Sequence, residues 1–410
     1  MKTLRLIVTG AACLAAVAAG AQSLDGRKIH LKAGKTQSLN VPLALPCDAP
    51  KTDDVITVVE GKTGKAFPAT LRNGELVFVA EGAMPGTEHD YTVKVEKKDV
   101  PNYAPHVLIK KQEGKPILDV MIDDVLFTRY YYGAEWKKPF LWPINSEGGV
   151  TLTRDYPMDP AGKPSDHPHH KSLWSAYGDV NGVDCWAEGA ESGFQVSGEP
   201  EWGSGDAYGW IAVKNVWQDK DHKPLITESR EYRFYTTPEK GRLLDVAVTF
   251  SADYGDVKFK DTKEGGIVAV RMRVELCGAN AHITNAEGDQ GEKKLWGKPS
   301  PWCDYSGDLK GTGWRGITLF DNPANLRYPT SWHVREYGLM GANCFGWSEF
   351  TKEAYNKPLL PSSNGDWQLP SGKSQVFKYR VYVHSGDVEK AAVADRFADY
   401  ATPPEIAWAK

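Results

Sequence analysis

Tryptophan is missing from the first third of this 410-residue chain: all 14 lie at or after Trp136. That absence excludes a chain built from equivalent halves and marks the early segment as different material. Lysine and arginine form no block above ordinary surface scatter, and the net charge is −4. A nucleic-acid binder would need a basic footprint, so that class is excluded. Beyond the N-terminal leader no stretch approaches the ~18 continuous apolar residues of a membrane helix. Cysteine is scarce at six residues, spaced neither as a zinc ribbon nor as a CxxC redox pair. No repeat of fixed period and no low-complexity tract occurs.

What is present begins with "MKTLRLIVTGAACLAAVAAGAQS". Lys2 and Arg5 precede an apolar run, and Ala19-Gly20-Ala21 forms a small-residue cleavage site. Residues 1–21 therefore read as a secretory signal peptide, and the mature protein is expected to be exported, periplasmic or extracellular. Cys13 sits inside the apolar run, with Gly10 where a lipobox wants Leu or Val, which argues against lipidation. Cleavage leaves five cysteines, so at least one thiol is free. Buried packing is the simplest role for them, with one disulfide of unspecified pairing left open.

Residues 24–105 carry short strand-like runs, "DVITVVEG", "ELVFVAEG" and "DYTVKVEKKD", separated by turn residues. They predict a small β-sandwich of the immunoglobulin-like sort. "VPNYAPHV" (100–107) reads as a linker. Residues 108–410 predict a second, larger β domain. In "VAVRMRVEL", Val268, Val270, Met272, Val274 and Leu276 alternate with Ala269, Arg271, Arg273 and Glu275, the pattern of a half-buried strand. "LDVAVTF" and "VFKYRVYVH" alternate likewise. In the latter, Lys378, Arg380, Tyr382 and His384 share one face, either solvated or the floor of a polar cleft. One helix is expected, in "SGDVEKAAVADRFADYATPP", with Asp387 as its cap and a proline pair to stop it.

The densest chemistry lies in "DHPHHKSLW", residues 166–174, where three of the ten histidines fall within four positions. Proline disfavours a helical residue before it, so an extended segment is predicted, with His167 and His169 on one side and His170 turned away. Two imidazoles on one face, with Asp166, would suit a divalent metal. Acid/base work by His167, His169 or His170 is the other reading, and a polar loop whose histidines cap backbone groups is the structural one. "DTKEGG" places Glu264 at a sheet rim, as acid, base, ligand or plain turn residue. "SWHVREYGL" aligns His333, Arg335 and Tyr337 on one side if extended. Asp304 in "WCDYSG", and Asp179, Asn181 and Asp184 in "YGDVNGVDCW", add polar groups that Asx turns alone would also explain.

"PFLWPINSEGGVTLTRDYPMDP", "DHPHHKSLWSAYGDVNGVDCW", "DTKEGG", "KLWGKPSPWCDYSG", "GITLFDNPANLRYPTSWHVREYGL" and "GANCFGW" occur in this order. Together, over about residues 115–390, they resemble the secreted bacterial family of unknown function labelled methane oxygenase PmoA-like. The matching segments usually carry Phe at Cys185 and Pro at Cys344, which implies that these cysteines pack rather than react. The label's membrane architecture does not carry over: the methane monooxygenase subunit spans the membrane with several helices, and this chain has no span beyond its leader. In organisation the family resembles the galactose-mutarotase-like β-supersandwich, a fold of aldose epimerases, polysaccharide lyases and some glycoside hydrolases. The resemblance therefore implies an all-β protein, a supersandwich behind the smaller sandwich.

The expected function is a secreted carbohydrate-active enzyme that cleaves or isomerises a glycoside. His167, His169, His170 and Glu264 are its catalytic candidates. Arg154, Trp174, Asp179, Asn181, Arg271, Asp304, His333, Arg335 and Tyr337 are its candidate substrate contacts, and Asp166, His167 and His169 a metal set. Two alternatives stay open: a non-catalytic sugar-binding protein, and a redox metalloprotein as the family label suggests. A carbohydrate is the expected partner; the cofactor is unknown, a divalent metal being one candidate.

Overall fold

Alternation along the chain becomes sheet. In the strand Arg242–Ser251, Leu244, Val246, Val248 and Phe250 all enter one apolar core, and the side chains between them are less buried. A computed structural model describes residues 23–98, 103–162, 165–237, 241–352 and 358–409. The expected leader and the start of the expected linker lie outside the described residues.

Two large antiparallel sheets share that core. The first has eight strands, ordered Trp332–Arg335, Leu339–Ala342, Gly265–Arg271, Leu173–Tyr177, Phe140–Leu141, Val125–Tyr131, Ile117–Ile122 and Val107–Lys111. The second has nine. It runs from Phe194–Ser197 through Tyr208–Gln218, Pro224–Tyr235, Arg242–Ser251, Ser374–Ser385, Gly313–Asp321 and Trp302–Leu309 to His282–Asn285, with Glu201–Gly203 beside Tyr208–Gln218. Val120, Leu173, Val270 and Met340 from the first sheet meet Ile211, Val246, Ile317 and Val381 from the second. Each such buried side chain contributes about 1.5–3 kcal/mol.

The N-terminal segment departs from the two-sheet sandwich expected of it. Its strands form one seven-stranded sheet, ordered Val41–Pro46, Glu75–Ala80, Ala66–Arg72, Val55–Glu60, Glu88–Glu96, Lys28–Lys32 and Glu405–Trp408. The sheet curls around its own core of Ile29, Leu43, Val58, Phe78 and Tyr91 until its two edges approach. There Trp408 Nε1 donates to the Pro46 carbonyl at 2.6 Å. The last of these strands comes from the far end of the chain, which a reading of residues 24–105 alone does not include.

Most of the outer face of the nine-stranded sheet is covered by other elements, though Tyr382 also lines a cleft of about 810 Å³ with Arg242, Lys390 and Arg396. Val77 and Val79 of the N-terminal sheet and Val393 of the terminal helix pack there against Tyr208, Leu243, Phe320 and Tyr382. Arg380 grips Asp245 through two bonds of 2.6 and 2.9 Å, and His384 Nε2 lies 2.8 Å from Asp304 Oδ2. Only Lys378 of that row stays exposed.

"VAVRMRVEL" also differs from expectation. Gly265–Arg271 is buried on both faces, Val274–Leu276 turns into a 3-10 helix, and Val274 is 74% exposed. The terminal helix spans Val393–Ala401. Asp387 Oδ1 accepts from the Lys390 N–H in the preceding turn rather than capping the helix itself. All five described cysteines are free thiols; burial pushes Cys185 up to about 12 and Cys344 upward too, as packing residues would behave. Among the described residues no helix is long and apolar enough to cross a membrane.

Candidate active site

The outer face of the eight-stranded sheet carries the chemistry. Strand periodicity sends Leu173 and Tyr177 into the core and Trp174 and Ala176 outward, where they meet Trp186, Ala269 and Leu339. It likewise sends Trp332 and Val334 inward, leaving His333 and Arg335 on the outer side. Glu264 arrives on the loop before Gly265–Arg271. Asn343 Nδ2 fixes this loop through the carbonyls of Thr262 and Lys263, at 2.9 and 3.0 Å. Gly178 N–H binds the Glu264 carbonyl at 2.7 Å, and a Cβ at Gly178 would sit 2.7 Å from that oxygen, so only glycine permits the approach.

The 166–170 loop closes over this face as a turn, not as the extended segment expected. His167 departs from the extended range that the following proline favours, taking a left-handed φ of 45°, and the His170 N–H donates to the His167 carbonyl at 3.0 Å. All three imidazoles therefore cluster: ring centroids are 4.8 Å apart for His167 and His170, 4.6 Å for His169 and His170, and 5.7 Å for His167 and His169. His170 is not turned away but buried beneath the loop, stacked on Trp174 at 5.3 Å.

Two buried arginines hold the turn. Arg154 donates to Asp166 Oδ1 at 3.0 Å and to the carbonyls of Asp166 and His167 at 2.8 and 2.7 Å. Arg271 donates to Asp166 Oδ1 at 2.8 Å and to His170 Nδ1 at 2.9 Å. Burial and the neighbouring Arg271 bring Arg154 down to about 10. Burial works against the Asp166 charge, but Arg271 and His167 override it and hold the carboxyl below its usual range. A second tether lies under the loop. Lys171 Nζ binds Glu188 at 2.8 Å and the Pro168 carbonyl at 2.6 Å, while Lys138 Nζ lies 3.3 Å from Glu188 and 2.5 Å from the Trp186 carbonyl.

Between the loop and the sheet rim lies a pocket of about 260 Å³. His167, His169, Glu264, His333, Arg335 and Tyr337, all anticipated, line it. Asp184, Trp186, Ala187 and Lys263 complete the wall. Burial, Lys138 and His167 lower His169 to about 4, and burial and Arg335 lower His333 to about 3, so both are neutral at pH 7. His333 Nδ1 is buried with no hydrogen-bond partner among the described residues. Glu264 moves the other way: burial raises its carboxyl, and Asp184 adds to that against the pull of Lys263.

Several anticipated residues lie elsewhere. Arg154, Arg271, His170 and Trp174 are buried supports of the loop rather than pocket walls. Asp179 Oδ1 accepts the Gly182 N–H at 2.8 Å, and Asn181 binds the backbone of Asp256 and Lys258, so both serve a turn. Asp304 is fully buried in the other sheet, accepting from Ser306 and Thr318. Of the Asp166 oxygens, Oδ1 is taken by the arginines and Oδ2 lies 2.7 Å from His167 Nδ1. Among the described residues no group of three or more His, Cys, Asp or Glu is placed to hold a metal ion. Sequence reasoning passed over Lys263, beside Glu264, and the Lys138–Glu188–Lys171 tether. Nothing in "KKPF" or "AEGAES" distinguishes those charges from surface ones.

No match to a curated protein was found. Residues 117–398, which include both arginine clamps, the histidine turn, Glu264 and the His333–Tyr337 segment, match the model of a family of unknown function, DUF6807. Since that match spans well over half of the chain, the protein belongs to the DUF6807 family.

Proposed function

We propose that this pocket is the acid/base centre of a carbohydrate-active enzyme that cleaves or isomerises a glycoside. The observation that carries the reading is the convergence of Glu264, His167, His169, His333, Arg335 and Tyr337, from three separate chain segments, on one pocket walled by Trp186. A concave site with aromatic walls and a few convergent polar groups of displaced proton affinity is the expected form of an active site. Glu264, its carboxyl raised by burial, is the proton donor. His169, kept neutral with a value of about 4, is the acceptor. Opposite displacement of two titratable groups is how one site runs acid and base steps together. Asp184, whose Oδ1 accepts the N–H groups of Trp186 and Ala187 at 2.8 and 3.0 Å, is the second carboxylate that a hydrolytic step requires. The resemblance of residues 115–390 to PmoA-like sequences, and the galactose-mutarotase-like organisation that goes with it, supports the same reading by analogy.

The test is a product screen. The purified protein is incubated with glycosides, their keto derivatives and uronate oligosaccharides, with and without chelator, and products are read by mass spectrometry. Turnover is expected for one class, unaffected by chelator, with Glu264→Gln at least ~100-fold slower. Full turnover by Glu264→Gln on an identified substrate would remove Glu264 from the mechanism. Absence of both product and binding across the panel, from folded protein, would overturn the assignment.

A further inference from the structure

The histidine pocket does not end at its own wall. Lys263 and Arg335, which line it, also line a second pocket of about 490 Å³ on their far side. The two cations thus form a ridge between adjoining spaces. Arg335 lies with its guanidinium carbon over the Trp296 ring, 3.4 Å from the centroid, and spends one N–H on Glu292 Oε1 at 3.0 Å. Among the described residues, the carboxylate paired with Lys263 is Glu264, at 3.8 Å, beyond hydrogen-bond reach. Two of the three acids lining the second pocket are engaged, Glu292 Oε2 by the Glu336 N–H at 2.7 Å and Glu349 by Lys352 at 2.7 Å, and with Glu336 they face the four cations Lys263, Lys293, Arg335 and Lys352.

Size and charge then select the ligand. A space of about 260 Å³ falls just below the ~300–1,000 Å³ of ordinary small-molecule sites, so a ligand larger than a single sugar ring must continue across the ridge. A neutral chain would lay only hydroxyls against the two cations that line both spaces. A carboxylate there would meet the planar fork of Arg335 and the point charge of Lys263 together.

We infer that the substrate is an acidic oligosaccharide, with one ring in the histidine pocket, the next in the pocket beside Trp296, and a uronate carboxylate on the Lys263–Arg335 ridge. This rests on the sugar-site reading above.

Binding calorimetry tests it on the purified protein with four disaccharides and two single sugars. The pairs are cellobiouronate against cellobiose and digalacturonate against galactobiose, with glucuronate and galacturonate as controls. At least one acidic disaccharide should bind at least tenfold more tightly than both its neutral counterpart and its single sugar. That preference should shrink in 0.5 M salt and fall to within twofold in Lys263→Met, whose fold is checked by circular dichroism. Equal affinity for acidic and neutral disaccharides overturns the inference while leaving the sugar site standing. Binding of none of the six overturns both.

Discussion

The three clustered imidazoles have separate roles. An Arg271 N–H points at His170 Nδ1, so that nitrogen must offer a lone pair and the ring is neutral with its proton on Nε2. Burial and the charge of its neighbours hold it well below the ordinary histidine value. His170→Ala should therefore cost about 2–3 kcal/mol in urea unfolding, through lost packing and an unpaired guanidinium donor. His169→Gln should leave the unfolding midpoint near wild type but cut turnover. A reversed pattern would exchange their roles. The rate should be bell-shaped in pH. It falls below about 4 as His169 takes a proton, and falls again as pH rises through the elevated value of Glu264. Glu264→Gln should abolish the alkaline limb alone. At this scale much was legible: alternation along 331–335 put His333 and Arg335 on one face, and "DTKEGG" marked a rim. The inward pull on Arg154 and Arg271 was not, because it arises from a carboxylate on a loop that only the folded chain lays over them.

Among elements, the 166–170 turn depends on charges that the sheet does not supply. Glu188 joins Lys138 and Lys171 beneath it. Removing one partner of a buried ion group strands the others, so Glu188→Ala should destabilise the protein by about 3–5 kcal/mol in denaturant melts. Burial alone would raise the Glu188 carboxyl, but Lys138 and Lys171 more than reverse it and hold it low. Its contribution is therefore complete above the unfolded value of ~4.3 and disappears as pH falls through the folded one. Wild type and variant should converge in stability toward pH 3; a gap that persists there would assign the loss to packing. Strands such as Arg242–Ser251 could be read from their pattern because one face meets the core and the other does not. Gly265–Arg271 could not. Both of its faces are covered, one by the second sheet and the other by the histidine loop, so its arginine is as buried as its valines.

Two of the joints between the N-terminal sheet and the rest are the apolar seam of Val77 and Val79 on the nine-stranded sheet, and the strand Glu405–Trp408 lying against Lys28–Lys32. Neither was visible in the sequence, since each pairs segments hundreds of positions apart with no shared motif. Deleting residues 403–410 removes four cross-strand residue pairs, from Ile29 with Trp408 to Lys32 with Glu405. The local opening free energy of Lys28–Lys32 should drop by roughly 2–4 kcal/mol. Hydrogen exchange should register this there, with the large sandwich unchanged. The same strand sets the order of assembly. Trp408 meets Pro46 across 362 positions, so an early sheet is finished by a much later segment. Until that segment emerges, the early sheet keeps a raw edge open to proteases and to other chains. Closure of the edge therefore waits on a segment made more than three hundred residues after the sheet's other strands.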